Sequence, residues 1–198
     1  MDPPDQRVMM LGASNVGKST LVARLSVEHA QCVPSPTIGT DYSFIRRESD
    51  CLKVWDISGQ ERYAPFIRLY LPVTDVVLLI YDVADFTSFA FAKMTFETLV
   101  AKKKVMPAGA IVRLVGNKND LSQRSVQLED VEGFREFIAA HFDVTTHSIS
   151  ATNDDFAQLN AIIPIRQNDT RRYVGPEVNH PPYIALATSF CNNGCVVS

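Results

Sequence analysis

The sequence predicts a three-layer α/β sandwich, with a six-stranded, mostly parallel sheet, one antiparallel edge strand and helices on both faces. Short apolar runs alternate along the chain with longer segments of helical period, the pattern of strands joined by right-handed crossovers. Two runs, Val76-Val77-Leu78-Leu79-Ile80-Tyr81 and Ile111-Val112-Arg113-Leu114-Val115, are near-continuously apolar, as parallel strands covered on both faces must be. Another pair, Tyr42-Ser43-Phe44-Ile45 and Leu52-Lys53-Val54-Trp55, flanks the polar connection Glu48-Ser49-Asp50 and reads as a hairpin, which supplies the antiparallel edge. With 198 residues and 46% hydrophobic content, the chain can bury one sizeable core. One domain plus a tail is expected.

Taken in order, Arg7 to Leu11 is a first buried strand that runs into Gly12-Ala13-Ser14-Asn15-Val16-Gly17-Lys18-Ser19. That spacing is a P-loop, and with it the sandwich takes the form of a P-loop NTPase. Glycines at 12 and 17 let backbone N–H groups line an anion-binding concavity that a side chain would obstruct. Lys18 adds a point charge for the β- and γ-phosphates, the following helix directs its positive dipole end to the same place, and the Ser19 hydroxyl is a hard oxygen ligand suited to Mg²⁺. The candidate nucleotide-binding residues here are Gly12, Ser14, Asn15, Val16, Gly17, Lys18, Ser19 and Thr20. A glycine-containing turn with an incidental lysine is the alternative, and the apolar strand before and the helix after argue against it.

The first helix is expected from Lys18 to about Glu28, with Leu21, Val22 and Leu25 on one face. Prolines and Gly39 make the stretch from Gln31 to Gly39 a loop. After the hairpin and the Val76–Tyr81 strand come a helix from about Thr87 to Lys104, the Ile111–Val115 strand, a helix from about Leu128 to Ala140, a short strand near Thr146 to Ile149, and a weak last helix from Asp154 toward Ile165. Pro164 should end or kink that helix just before it. From about Gln167 the composition turns to Asn, Pro, Gly, Arg and Thr without apolar period. The organisation expected is therefore an extension over 1–6, a nucleotide-binding domain over 7–166 and a tail over 167–198.

Two further constellations fall at strand ends, where ligands sit in open α/β sheets. Asp56, closing a strand ahead of Gly59 and Gln60, can hold Mg²⁺ beside the P-loop, and the Gly59 N–H can reach a γ-phosphate because no side chain intervenes. In Asn117-Lys118-Asn119-Asp120, the Asp120 carboxylate can accept two hydrogen bonds from the N1–H and 2-amino group of guanine, which adenine does not offer. A buried, otherwise unpaired carboxylate would reject the wrong base on the order of 10⁴-fold or more. Alone, each motif is an ordinary polar turn; together, in order and at strand ends, they read as a nucleotide site.

These residues resemble the small GTPases of the Ras superfamily over about Arg7 to Ile165 and, within it, the Rab proteins, through Thr37-Ile38-Gly39, Trp55-Asp56-Ile57-Ser58-Gly59-Gln60-Glu61-Arg62-Tyr63 and Ile80-Tyr81-Asp82-Val83. The resemblance implies GTP and GDP as bound nucleotides with Mg²⁺ held by Ser19, Thr37 and Asp56, and a first switch over 30–39 and a second over 58–71. It implies that Gln60, Lys18 and Thr37 act in catalysis, Gln60 by orienting the attacking water. It also implies that Ser150 and Ala151 form the loop whose N–H at Ala151 meets the guanine carbonyl. Tyr42, Trp55 and Tyr70 match an aromatic triad that, with Ile38, faces effectors, although core packing would explain the three rings nearly as well. An exchange factor, an activating protein, effectors and a dissociation inhibitor or escort protein are the implied partners of a monomeric chain.

A net charge of −3 provides no field for nucleic acid, and the run Lys102-Lys103-Lys104 reads as a solvated helix end. No apolar stretch approaches a membrane span, and the acidic start lacks a signal-peptide core. Cys32 and Cys51 lack metal-type spacing, and no disulfide is expected. The ending Cys195-Val196-Val197-Ser198 fits a C-a-a-X prenylation box, its terminal Ser favouring farnesyl. One lipid anchors only marginally, so Cys191 is the candidate second anchor, and the expected place is the cytosolic face of a membrane with a cytosolic pool.

Three positions depart from the family pattern, two of them beside the base. Ala30 stands where an aromatic ring usually covers guanine, Thr152 replaces a Lys whose stem packs beneath the base, and Pro164 shortens the last helix. The favoured expectation is a vesicle-traffic switch with fast nucleotide release. A Ras-type signalling GTPase and a nucleotide-binding scaffold with little turnover are the alternatives.

Overall fold

The computed structural model describes residues 5–26, 37–48, 50–60, 64–101, 106–107 and 109–165. Six strands form one sheet in the order β2-β3-β1-β4-β5-β6: β1 Asp5–Leu11, β2 Thr40–Arg46, β3 Cys51–Ile57, β4 Val76–Asp82, β5 Ile111–Asn117 and β6 Asp143–Ser148. Every neighbouring pair is parallel except β2 with β3, whose antiparallel register sets Tyr42 opposite Trp55 and Asp41 opposite Asp56. The hairpin therefore supplies the antiparallel edge, as its sequence requires.

Side-chain alternation along the central strands divides the core in two. Met9 and Leu11 of β1 join Val77 and Leu79 of β4 on the face covered by helices α2 Ala64–Tyr70, α3 Phe86–Thr95 and α4 Leu128–Ala139. Val8, Met10, Leu78 and Ile80 face the other way, against α1 Lys18–Leu25 and the residues in and after α5 Phe156–Asn160. Asp85 caps α3 by accepting a hydrogen bond from the Thr87 N–H, and Gln127 with Asp130 closes a capping box on α4.

Several bounds differ from those expected, each for a local reason. The first helix ends at Leu25, because Ser26 turns to an extended backbone and gives its N–H to the Val22 carbonyl. The helix expected from Thr87 is α-helical only to Thr95 and continues as a π-helical turn over Phe96–Ala101. β6 begins at Asp143, three residues before the expected strand, and stops at Ser148; its half-exposed, polar sequence offers no apolar run to read. β5 extends through Gly116 and Asn117, so the base-reading motif starts inside the strand.

The last helix is only five residues long and stops four residues before Pro164. A proline ring clashes with the carbonyl four residues earlier, here that of Asn160, and this carbonyl instead accepts the Ile163 N–H in a tighter turn. Arg47 then closes the end: its guanidinium pairs with Asp50 and donates to the Asn160 side chain at 3.2 Å, the Ile163 carbonyl at 2.9 Å and Gln6 at 3.3 Å.

Candidate functional site

The site lies at the carboxyl ends of β1, β3 and β5. Gly12 and Gly17 have φ of 154° and 95°. A Cβ on Gly12 would stand 2.1 Å from the Ile80 carbonyl oxygen, and one on Gly17 would stand 2.2 Å from the Asn117 side-chain nitrogen. No side chain fits either place, so the loop can pass this close to β4 and β5 only with glycine. Inside the loop, Lys18 is buried and its Nζ donates to the carbonyls of Gly12 at 3.0 Å and Ala13 at 2.8 Å. Burial pulls its ammonium below the ordinary lysine range, opposed by the charge of Asp56. A desolvated cation inside a glycine-bearing loop is arranged to receive an anion.

Three oxygen-bearing side chains from separate elements meet next to it. Ser19 from the start of α1 donates its hydroxyl to Asp56 Oδ2, Thr37 donates to the same oxygen at 3.2 Å, and the two hydroxyls lie 2.9 Å apart. The Thr37 segment is held there by a hydrogen bond from the Ser58 N–H to the Gly39 carbonyl at 2.9 Å. Asp56 Oδ1 is buried and has no hydrogen-bond partner among the described residues. Burial raises the Asp56 pKa, against the Ser19 hydrogen bond, the Lys18 charge and the Thr37 hydrogen bond, while Asp41 adds to the rise. Two hydroxyls and a carboxylate with an orphaned oxygen form a hard-oxygen set that suits Mg²⁺.

Gly59, in the segment expected as the second switch, packs against the same loop: a Cβ there would lie 2.3 Å from the Ala13 carbonyl carbon and from the Ser14 nitrogen. Gln60 beside it is exposed. On the base side, the buried Asn117 side chain donates to the Val16 carbonyl at 2.8 Å and accepts the Ala151 N–H at 2.9 Å. One amide thus ties the phosphate loop to the loop carrying Ser150 and Ala151. Ser150 gives its N–H to Asp154 at 2.8 Å, and its hydroxyl lies 3.2 Å from that of Thr152. Asp120, expected to be buried, is exposed.

Tyr42, Trp55 and Tyr70 do come together: Trp55 stacks on Tyr70 at 5.1 Å between centroids and meets Tyr42 at 6.0 Å. Trp55 and Tyr70 are buried in the core, Tyr42 is half-buried at its rim, and the Trp55 indole N–H has no acceptor among the described residues. Ile38 is 86% exposed. The expected first switch from Ala30 through Pro36, the Glu61-Arg62-Tyr63 part of the second, the lysine run at 102–104 and the tail with Cys191 and Cys195 lie outside the described residues. Two groups that the sequence did not mark out are Asp82, which pairs with Lys118, and Arg47 with Asp50. The first had a faint signal in its place at the end of an apolar strand; the second had none, because its partners are far apart in the chain.

The family model described as the Ras family matches residues 7–163. The chain is similar to GTP-binding protein ypt5 of Schizosaccharomyces pombe, 29% identical over 185 residues that cover 88% of this chain and 86% of that protein. It is similar to Ras-related protein Rab-31 of Homo sapiens, 33% identical over 141 residues, 68% of this chain and 70% of that one. It is also similar to Ras-related protein rab-11.1 of Caenorhabditis elegans, 27% identical over 176 residues, 86% and 82% of the two chains. With the phosphate loop, the hydroxyl–carboxylate set and the base-side clamp in one place, the chain belongs to the Ras family, as a small GTPase of the Rab type.

Proposed function

We propose that this protein is a GTP-hydrolysing switch of vesicle traffic, attached to the cytosolic face of a membrane, whose GTP form recruits effectors through the segments that carry Thr37 and Gly59. The observation that carries this reading is the meeting of Ser19, Thr37 and Asp56 beside Lys18. Phosphoryl transfer asks a protein mainly for positioning and charge stabilisation. Lys18 and the loop amides hold the β- and γ-phosphates, and Gln60 orients the attacking water. Ser19, Thr37 and Asp56 would hold Mg²⁺, which supplies charge neutralisation at the β–γ bridge. Thr37 and Gly59 touch the γ-phosphate only while it is present, so its loss releases both segments.

Guanine is read by Asp120 along its N1–H and amino edge and by the Ala151 N–H at its carbonyl, in a domain spanning about 7–166. The Ala at position 30 and the Thr at 152 give the base less cover than the family pattern, which favours fast release and dependence on a regulator. Regulation then falls to an exchange factor, an activating protein and a dissociation inhibitor or escort protein. A C-terminal lipid on Cys195, supported by a second on Cys191, would hold the tail to the membrane; no helix among the described residues is long and apolar enough to cross one.

Incubating the purified chain with GTP, ATP and Mg²⁺ and identifying the retained nucleotide over time tests the reading. Retained GTP that converts slowly to GDP is expected. Retention of ATP, or indifference to GDP, would overturn it.

A further inference from the structure

Lys118 is one of two non-glycine residues with positive φ among those described, at 64°. Its Nζ reaches Asp82 Oδ2 at the end of β4, at 2.8 Å. The other Asp82 oxygen accepts the Ala84 N–H at 2.8 Å, and the Asp82 N–H is bound by the Ser88 hydroxyl at 2.9 Å. The carboxylate is therefore fixed before it meets the lysine. Asp82 pairs in register with Asn117, the residue that clamps Val16 and Ala151. The four-carbon stem of Lys118 thus spans the ends of two strands beside that clamp, anchored at its backbone and at its ammonium.

A lysine stem held at both ends presents an apolar strip. If Asp120 and the Ala151 N–H take two edges of guanine, one face of the ring has to rest against a neighbour. In this chain Ala30 and Thr152 provide neither ring nor long stem for that purpose. An unpinned lysine would give up rotamer freedom each time the base docked. We propose that Asp82 is a positioning residue for base binding, holding the Lys118 stem pre-ordered as a shelf for the guanine face. This role rests on the guanine reading above.

The test is nucleotide release from the full chain loaded with GDP or with inosine diphosphate, which lacks the 2-amino group. Asp82→Asn should speed GDP release about five- to tenfold, the scale of losing one half-buried ion pair and the order that it imposes. Inosine diphosphate should be released faster by the same factor, because a shelf meets the ring face and not the amino edge. Asp82→Ser, which retains an oxygen for the Ala84 N–H, should give the same result as Asp82→Asn. In a Lys118→Met background, which keeps an unbranched apolar stem without the ammonium, Asp82→Asn should add nothing. Unchanged GDP release in both Asp82 variants, effects that multiply with Lys118→Met, or an acceleration confined to GDP would each overturn the role of Asp82. A wild-type chain that retains ADP in place of GDP would overturn the guanine reading, and this role with it.

Discussion

Asp56 is 3% exposed, takes hydroxyl hydrogen bonds on one oxygen and, among the described residues, none on the other, and is held above the ordinary carboxylate range chiefly by burial. Its folded pKa is raised, so the folded protein without a cation binds the proton more tightly than the unfolded chain. That form gains stability as pH falls from the raised value toward the ordinary 3.8. A bound cation requires the ionised carboxylate and loses its hold over the same window. Melting temperatures measured in chelator and in Mg²⁺ with GDP should therefore converge as pH falls through that window, and Asp56→Asn should remove the difference at every pH. Curves that stay parallel would separate Asp56 from the cation. Gly59→Ala places a methyl 2.3 Å from backbone atoms of the phosphate loop, which cannot yield as a side-chain tip could. GDP binding should survive that change, while a GTP analogue loses its preference over GDP by about tenfold or more, as read in competition titrations.

Elements formed from strong apolar runs were legible before any coordinates: β1, β4 and β5 each carry enough consecutive buried side chains to be recognised alone. α2 was not, because seven residues hold little periodic signal and the helix depends on burying Ile67, Tyr70 and the following Leu71 against the sheet. β6 was misplaced because strand pairing with β5, not its own composition, makes it a strand. The phosphate loop, Asp56 and Asn117 were readable as motifs since each is local in sequence. The exposure of Asp120 and the clamp formed by Arg47 were not, since they depend on which distant segments fold together. That clamp closes a shortened helix end, with Asp50 fully buried and Arg47 bound on every side. Asp50→Ala leaves a buried guanidinium without its counter-charge and should cost about 3–5 kcal/mol in denaturant unfolding. An Arg47→Met, Asp50→Leu double replacement should recover most of that loss, and its failure to do so would show that the carbonyl contacts at Ile163 matter more than the ion pair.

At the scale of the molecule, the groups that would act on one triphosphate come from separate elements that the sheet brings to a single edge, and a hydrogen bond from the Ser58 N–H to the Gly39 carbonyl joins the two segments expected to switch. What this chain does not place there is an arginine: the phosphate loop and positions 27–39 contain none. On the proposed reading, charge developing on the transferring phosphoryl group would be met by Lys18 and the loop amides, with Mg²⁺ held by Ser19, Thr37 and Asp56 supplying further neutralisation, and an arginine supplied in trans typically adds on the order of 10³- to 10⁵-fold. Single-turnover GTP hydrolysis by the isolated chain should have a half-time of minutes or longer and should accelerate by such a factor with an activating protein. Gln60→Leu should abolish both rates while leaving GTP retention within about twofold of wild type, because an exposed water-orienting side chain contributes to the transition state and not to ground-state binding. Rapid turnover without a partner would mean that the chain completes its own charge stabilisation through a group not yet placed at the site. Loss of GTP retention in Gln60→Leu would instead make this residue a ligand of the ground state.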